Sequence, residues 1–186
     1  MLEQFRIVID PGHGGKDPGA KGSKSIEKDL NMIFSNKLFE ILLQDVRFEP
    51  FLTRGYDKYI TLSKRVLSTV DVEAHAFLSI HCNASVSSKP NDCQIYYNDE
   101  VKDKPLAELL FTYVDKIDYD TSRWSREIYG NFYVLRKLKM EAMPAVLIEI
   151  GFISNLEDED MLNNPDFQDR FCKGLYGGLM AYFNIK

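Results

Sequence analysis

The chain opens on a short apolar run, Phe5 to Asp10, rich in Ile and Val, which Pro11 and the glycines of PGHGG interrupt. A run of that length bounded by Pro and Gly predicts a buried strand leading into a loop. The loop continues through DPGAKGSKS to Ile26, after which Leu30, Ile33, Phe34, Leu38, Ile41 and Leu42 recur at helical spacing. From Val46 to Thr53 the pattern alternates and carries aromatics, and Pro50 assigns that strand to a sheet edge or a bulge. Leu62, Val66, Leu67 and Val70 then fall on one helical face. AFLSIH predicts a buried strand, QIYY another, and PLAELLFTYVDKI the helix that follows.

The stretch from Ser122 to Gly130 is polar and turn-prone, and NFYVL beyond it reads as a strand. PAVLIEIGF, bounded by Pro144 and Gly151, carries the strongest strand signal. LEDEDML predicts a short helix, and DFQDRFCKGLYGGLMAYF a closing amphipathic helix in which Gly174, Gly177 and Gly178 permit close packing. Strands alternating with helices imply an α/β class, three-layer domain. Its twisted sheet is mainly parallel or mixed, of about six strands, with five or six helices on both faces.

Composition narrows the function classes. A chain of 186 residues buries one substantial core, so residues 1–186 are expected to form a single domain. Hydrophobic residues at 45% and charged ones at 27% exclude a disordered or fibrous chain. The net charge of -5 argues against nucleic acid, and the lysines at 16, 21, 24 and 28 are broken up by Asp17, Glu27 and Asp29, as in a solvated loop. Cys82, Cys93 and Cys172 are an odd number at wide spacing, so free structural thiols are expected rather than a disulfide framework. MLEQFRIVID lacks the charged and apolar regions of a signal peptide, and no stretch approaches the roughly 20 apolar residues of a membrane span. A monomer is expected.

Chemistry concentrates at the predicted strand ends. His13 stands just past the first strand, His81 ends AFLSIH, and Glu149 lies near the end of PAVLIEIGF. Ligands of open α/β sheets bind outside the carboxyl ends of strands, so separate segments deliver these side chains to one rim. A carboxylate in a fully buried run is costly unless paired or metal-bound, so Glu149 reads either as a salt-bridge partner of an arginine such as Arg136 or, given the two histidines, as a functional group. Two imidazoles and a carboxylate with one open position form the arrangement of catalytic zinc. Glu27, at the start of the first long helix beside the glycine loop, is the carboxylate best placed to complete it. Gly12, Gly14 and Gly15 let that loop turn sharply enough for His13 to point back toward the sheet.

Other residues have weaker claims. Asp10 ends the first strand and is expected to hydrogen-bond a ligating histidine. Arg54 and Arg65 read as an internal ion pair or as binders of a substrate carboxylate. Asn83 is a turn residue or a substrate contact, and His75, at the far end of its strand, a surface residue.

IVIDPGHGGKDPGAKG, then EKDLN, LTR, SIHCNAS and PAVLIEIGFISN, in that order from about Ile7 to Phe183, resemble the zinc-dependent N-acetylmuramoyl-L-alanine amidases of the amidase 3 type. The resemblance implies cleavage of the amide between N-acetylmuramic acid and the L-alanine of the peptidoglycan stem, in the cell envelope. It implies one Zn²⁺ per chain on His13, Glu27 and His81, with Glu149 as catalytic acid and base. Cys82, His75 and Lys24-Ser25-Ile26 depart from the family pattern, the last leaving the loop before Glu27 open. Some relatives carry a blocking insertion after the SIHxNA motif. Here only Ser85 to Asn91 separate it from the next strand, which implies a site open without an activator. Wall-binding repeats of the kind relatives carry are absent from this chain, so targeting is expected from elsewhere. A zinc hydrolase acting on another peptide, or an inactive wall-binding module, are the competing readings.

Overall fold

A computed structural model describes residues 4–87, 89, 92–116 and 126–185. Its strands are β1 (Phe5–Pro11), β2 (Phe48–Leu52), β3 (Ala76–Asn83), β4 (Gln94–Tyr97), β5 (Arg126–Tyr129) and β6 (Ala145–Phe152), joined in one sheet of order β2-β1-β3-β6-β4-β5. β2, β1, β3 and β6 are mutually parallel, whereas β4 pairs antiparallel with β6 and parallel with β5. The reversal has a simple cause. Parallel strands need a crossover of a dozen or more residues, and the link between Asn83 and Gln94 is shorter than that.

The helices are α1 (Glu27–Leu43), α2 (Leu62–Asp71), α3 (Asp103–Asp115), α4 (Tyr133–Leu138), α5 (Leu156–Leu162) and α6 (Pro165–Tyr182). Alternation along the strands sorts the core into two layers. Ile7, Ile9, Leu78, Ile80 and Ile148 face α1, α3 and α6, where Phe34, Phe171 and Leu175 are fully buried. Val8, Phe77, Ala145 and Leu147 face α4, through Val134, Leu135 and Leu138, and α2, through Val66. The expected glycine contact between helices is present: a Cβ on Gly178 would stand 2.8 Å from Leu110 Cα of α3.

Two expectations fail in the same region. NFYVL is not a strand; from Tyr133 it is helix α4, because Val134, Leu135 and Leu138 bury one helical face on Phe77 and Leu147. The strand lies just before it, in the segment expected to be turn, while 117–125 fall outside the described residues. β5 borders only β4 at the sheet edge, so nothing forces the apolar alternation that would reveal it. The apolar stripe expected on α2 is also largely solvent-facing, with Leu67 58% exposed, and the residues the helix buries are Arg65 and Thr69.

The connection from β1 runs through α1 to β2 on one side, and the chain then returns through α2 to β3 on the other. The carboxyl ends of β1 and β3 therefore flank the switch point at which α/β sheets open a crevice.

Candidate metal centre

The loop after β1 sets the first histidine. His13 takes a left-handed backbone, φ 59°, which a non-glycine residue adopts only when its surroundings hold it there. The surroundings are two buried guanidiniums. Arg54 donates to the carbonyls of Pro11 (3.0 Å), Gly12 (2.9 Å) and Lys28 (2.9 Å). Arg65 donates to Pro11 O and His13 O, each at 2.7 Å, and to Asp10 Oδ1 at 2.5 Å. With its carbonyls held on the arginine side, the loop directs the His13 ring toward β3.

His81 comes from β3 and Glu149 is its cross-strand partner on β6, just before the register slips between His81 and Asn83. Both lie on the sheet face that carries Val8, Phe77 and Leu147. Glu27 opens α1, and its Oε1 lies 3.1 Å from His13 Nε2 and 2.9 Å from His81 Nδ1. Ala20 N–H donates to its other oxygen at 2.7 Å, leaving Oε1 for the histidines. Ligand atoms of His13, Glu27 and His81 lie within 4.8 Å of one another. Two imidazoles and a carboxylate at that separation can hold a metal ion, and the donor set suits zinc.

Burial opposes a charge on the His13 ring, yet its hydrogen bonds to Glu27 and Asp17 overturn that and raise its pKa from 6.5 to about 9. Burial pushes Glu27 up, but the same two rings draw it well below the usual carboxylate range. The cluster thus already attracts positive charge. Glu149 is the opposite case: burial raises it to about 7, and its Oε2 is buried with no hydrogen-bond partner. A lone buried carboxylate oxygen is costly to the fold, so it calls for a chemical reason.

These side chains line a cavity of 510 Å³, with Asp10, Arg65, Ser79 and Asn83 among the polar walls and Ile60, Leu62, Phe132, Val134 and Leu147 among the apolar ones. Glycine is required where the loop meets the ligands. A Cβ on Gly12 would stand 2.2–2.6 Å from three His81 ring atoms, and one on Gly19, at φ 66°, 2.4 Å from Glu27 Oε2. We expect Gly12→Ala to keep the fold, because the His81 ring can swing aside, but to weaken any metal binding at this cluster by about tenfold or more. Chelator competition beside circular dichroism checks this, and unchanged zinc affinity would show the ring position to be unimportant.

Asp10 does not reach a histidine as expected. Its carboxylate accepts from Thr53 Oγ1, Arg65 Nη1 and Ser79 Oγ, so it steadies the arginine that steadies the loop. Arg65 with Asp10 is the internal ion pair, and Arg54 binds backbone carbonyls. Asn83 lines the cavity while its amide engages Gln94 and Ala84 N–H. His75 sits at the far sheet end and accepts from Arg6 N–H. All three cysteines are free and buried.

The carboxylate that does hold a histidine is Asp17, whose Oδ2 lies 2.9 Å from His13 Nδ1 and fixes that ring's orientation. Asn31 is a second residue the sequence reading missed: its amide donates to Gly12 O and, at 3.4 Å, to Glu27 Oε1. Position offered a clue to both, since Asp17 lies four residues after His13 in the glycine loop and Asn31 one helical turn after Glu27.

Residues 7–181 match the family model described as N-acetylmuramoyl-L-alanine amidase, and the chain belongs to that family. It is 36% identical over 186 residues to the probable cell wall amidase LytH of Staphylococcus epidermidis, covering 98% of this chain but 60% of that protein. Against LytC of Bacillus subtilis, an N-acetylmuramoyl-L-alanine amidase, identity is 33% and coverage 95% of this chain and 35% of the relative. The chain thus spans 60% of the first of these relatives and about a third of the second. Among solved structures, the catalytic domain of the amidase CwlV from Bacillus (Paenibacillus) polymyxa var. colistinus superposes with a TM-score of 0.90 at 38% identity, covering 98% of this chain and all of that one.

Proposed function

We propose that the chain is a single catalytic domain of the cell envelope. It hydrolyses the amide joining N-acetylmuramic acid to the L-alanine of the peptidoglycan stem, with one zinc ion on His13, Glu27 and His81. The observation that carries this reading is Glu149, a half-buried carboxylate whose Oε2 is buried with no hydrogen-bond partner, paired across the sheet with one member of a histidine–glutamate–histidine cluster. No helix among the described residues is long and apolar enough to cross a membrane.

A bound zinc ion supplies Lewis acidity, which lowers the pKa of water and polarises a carbonyl. The chain's residues do the rest. In the metal-free chain burial raises Glu149 to about 7, so its carboxyl can hold or release a proton near neutral pH. It takes the proton of the attacking water on its free oxygen, holds it, and gives it to the leaving nitrogen of alanine. Ile60, Leu62, Phe132, Val134 and Leu147 give the same cavity an apolar wall.

Purified peptidoglycan digested by the isolated chain with zinc, and no added activator, is expected to release stem peptides beginning at unblocked L-alanine, detected by mass spectrometry. Cuts elsewhere in the peptide point to a different zinc hydrolase. No cut at all, with the polymer retained, points to a binding module or a site that needs an activator.

A further inference from the structure

The loop before Glu27, where the sequence departs from the family pattern, is held from across the molecule. Glu159 of α5 is fully buried, and its carboxylate accepts from the backbone N–H of Ser23 (3.1 Å), Lys24 (2.8 Å) and Ser25 (2.8 Å) and from Ser23 Oγ. Asn163, at the end of the same helix, donates to Ser25 Oγ at 2.7 Å. No side chain at the cap position, Ile26, secures the start of α1. Residues 21–26 instead close as a small hairpin, Lys21 pairing with Ile26 and Gly22 N–H donating to Ser25 O at 3.0 Å. The hairpin delivers Ala20 and Glu27 to each other: Glu27 N–H donates to Ala20 O, and Ala20 N–H donates to Glu27 Oε2. That contact occupies Oε2 and leaves Oε1 toward His13 and His81, where Asn31 and Cys82 N–H also reach it.

The neighbouring acid ties the same helix to the other half of the site. Asp158 Oδ2 accepts from Phe152 N–H at 2.7 Å, at the end of the strand that carries Glu149. Asn155 caps α5 by accepting from Glu157 and Asp158 N–H, which fixes the helix that presents both acids. α5 therefore braces the loop that leads to Glu27 and the strand that bears Glu149.

We infer that Glu159 is a positioning residue for the metal centre, acting through the 23–25 loop and Ala20 to orient Glu27. The inference rests on the proposed metal reading, in which Glu27 is a ligand. It goes beyond that reading by assigning a function to a residue that touches neither metal nor substrate. A carboxylate is suited to this task because it accepts from several converging N–H groups at once, whereas a glutamine would turn an NH₂ group toward some of them.

The test is zinc affinity of the intact chain, by chelator competition, for wild type, Glu159→Gln, Glu159→Asp and Glu27→Ala, at a temperature where each metal-free protein is folded by circular dichroism. Glu159→Gln is expected to lose tenfold to a hundredfold in zinc affinity, with faster amide exchange at residues 23–25 and kcat near wild type once zinc is saturating. Glu159→Asp keeps the charge on a shorter arm, and its affinity should fall between wild type and Glu159→Gln; it serves alone if the glutamine variant does not fold. Zinc affinity within twofold of wild type in a folded Glu159 variant, whatever its melting temperature, overturns the inference and leaves a purely structural anchor. Unchanged affinity in Glu27→Ala is a different failure, because it removes the ligand reading itself and the inference with it.

Discussion

Glu149→Gln is expected to retain about one zinc per chain and to lose activity on peptidoglycan by about a thousandfold, the middle of the range for a general acid–base group. The amide preserves shape and burial but cannot shuttle a proton. Loss of the metal in this variant would make Glu149 a ligand and reverse the assigned roles. The same substitution has a second expected effect, on the stability of the metal-free protein. Folding raises Glu149 from 4.5 to about 7, so the folded state holds its proton more tightly than the unfolded state. Stability from this group is fully present below pH 4.5 and is lost as pH rises through 7, by about 3 kcal/mol in all. Glutamine has no such dependence. Metal-free Glu149→Gln should therefore exceed metal-free wild type in stability at pH 8 and lose that advantage near pH 4.5, as denaturant titrations at the two pH values would show. Equal stability at pH 8 would mean that Oε2 finds water or a partner in solution.

Arg65→Met is expected to have the largest effect on folding. Arg65 and Asp10 are 3% and 1% exposed, and removing one member of a buried pair leaves the other charge uncompensated, at a cost of about 3–5 kcal/mol. The His13 carbonyl loses its donor in the same step, while Pro11 O keeps the one from Arg54. For a domain of this size that corresponds to a fall of roughly 10 °C in Tm. Adding Asp10→Val should restore part of the loss, since it removes the stranded carboxylate, although the His13 carbonyl stays unsatisfied. Calorimetry of the two variants decides the point, and a double variant less stable than Arg65→Met alone would contradict this account.

How much of this was legible beforehand depended on what each residue packs against. Runs such as AFLSIH and PAVLIEIGF announce themselves because both sheet faces are covered, so apolar residues continue without interruption. β5 and α4 were misassigned because a four-residue edge strand carries no pattern and because Phe132 to Leu135 are apolar enough to suit either conformation. His13, His81 and Glu149 emerged from strand ends, since topology alone directs those ends to one rim. Asp17 reads as part of a solvated loop and Glu159 as part of a short acidic helix, and nothing marks Asn31; Arg65 was expected in an internal ion pair or on a substrate carboxylate, and the ion pair is the one present. Their partners are rings or backbone groups brought close only by the tertiary fold, and no local periodicity reports such partners. Asp10 shows the same limit from the other side, as its neighbours were Arg65 and Ser79 rather than a histidine.

The switch point between β1 and β3 has a consequence for how the chain behaves in a metal-poor setting. His13 and Glu27 come from adjoining segments and can meet early, but His81 joins them only when β3 has crossed over α2 to lie beside β1. A three-donor site is therefore a property of the folded chain alone, and under the proposed ligand set zinc acts as a ligand of the native state. Each tenfold rise in free zinc above its Kd adds about 1.4 kcal/mol to the folding equilibrium. Zinc supply would then set the lifetime of the domain against unfolding and proteolysis as well as its activity.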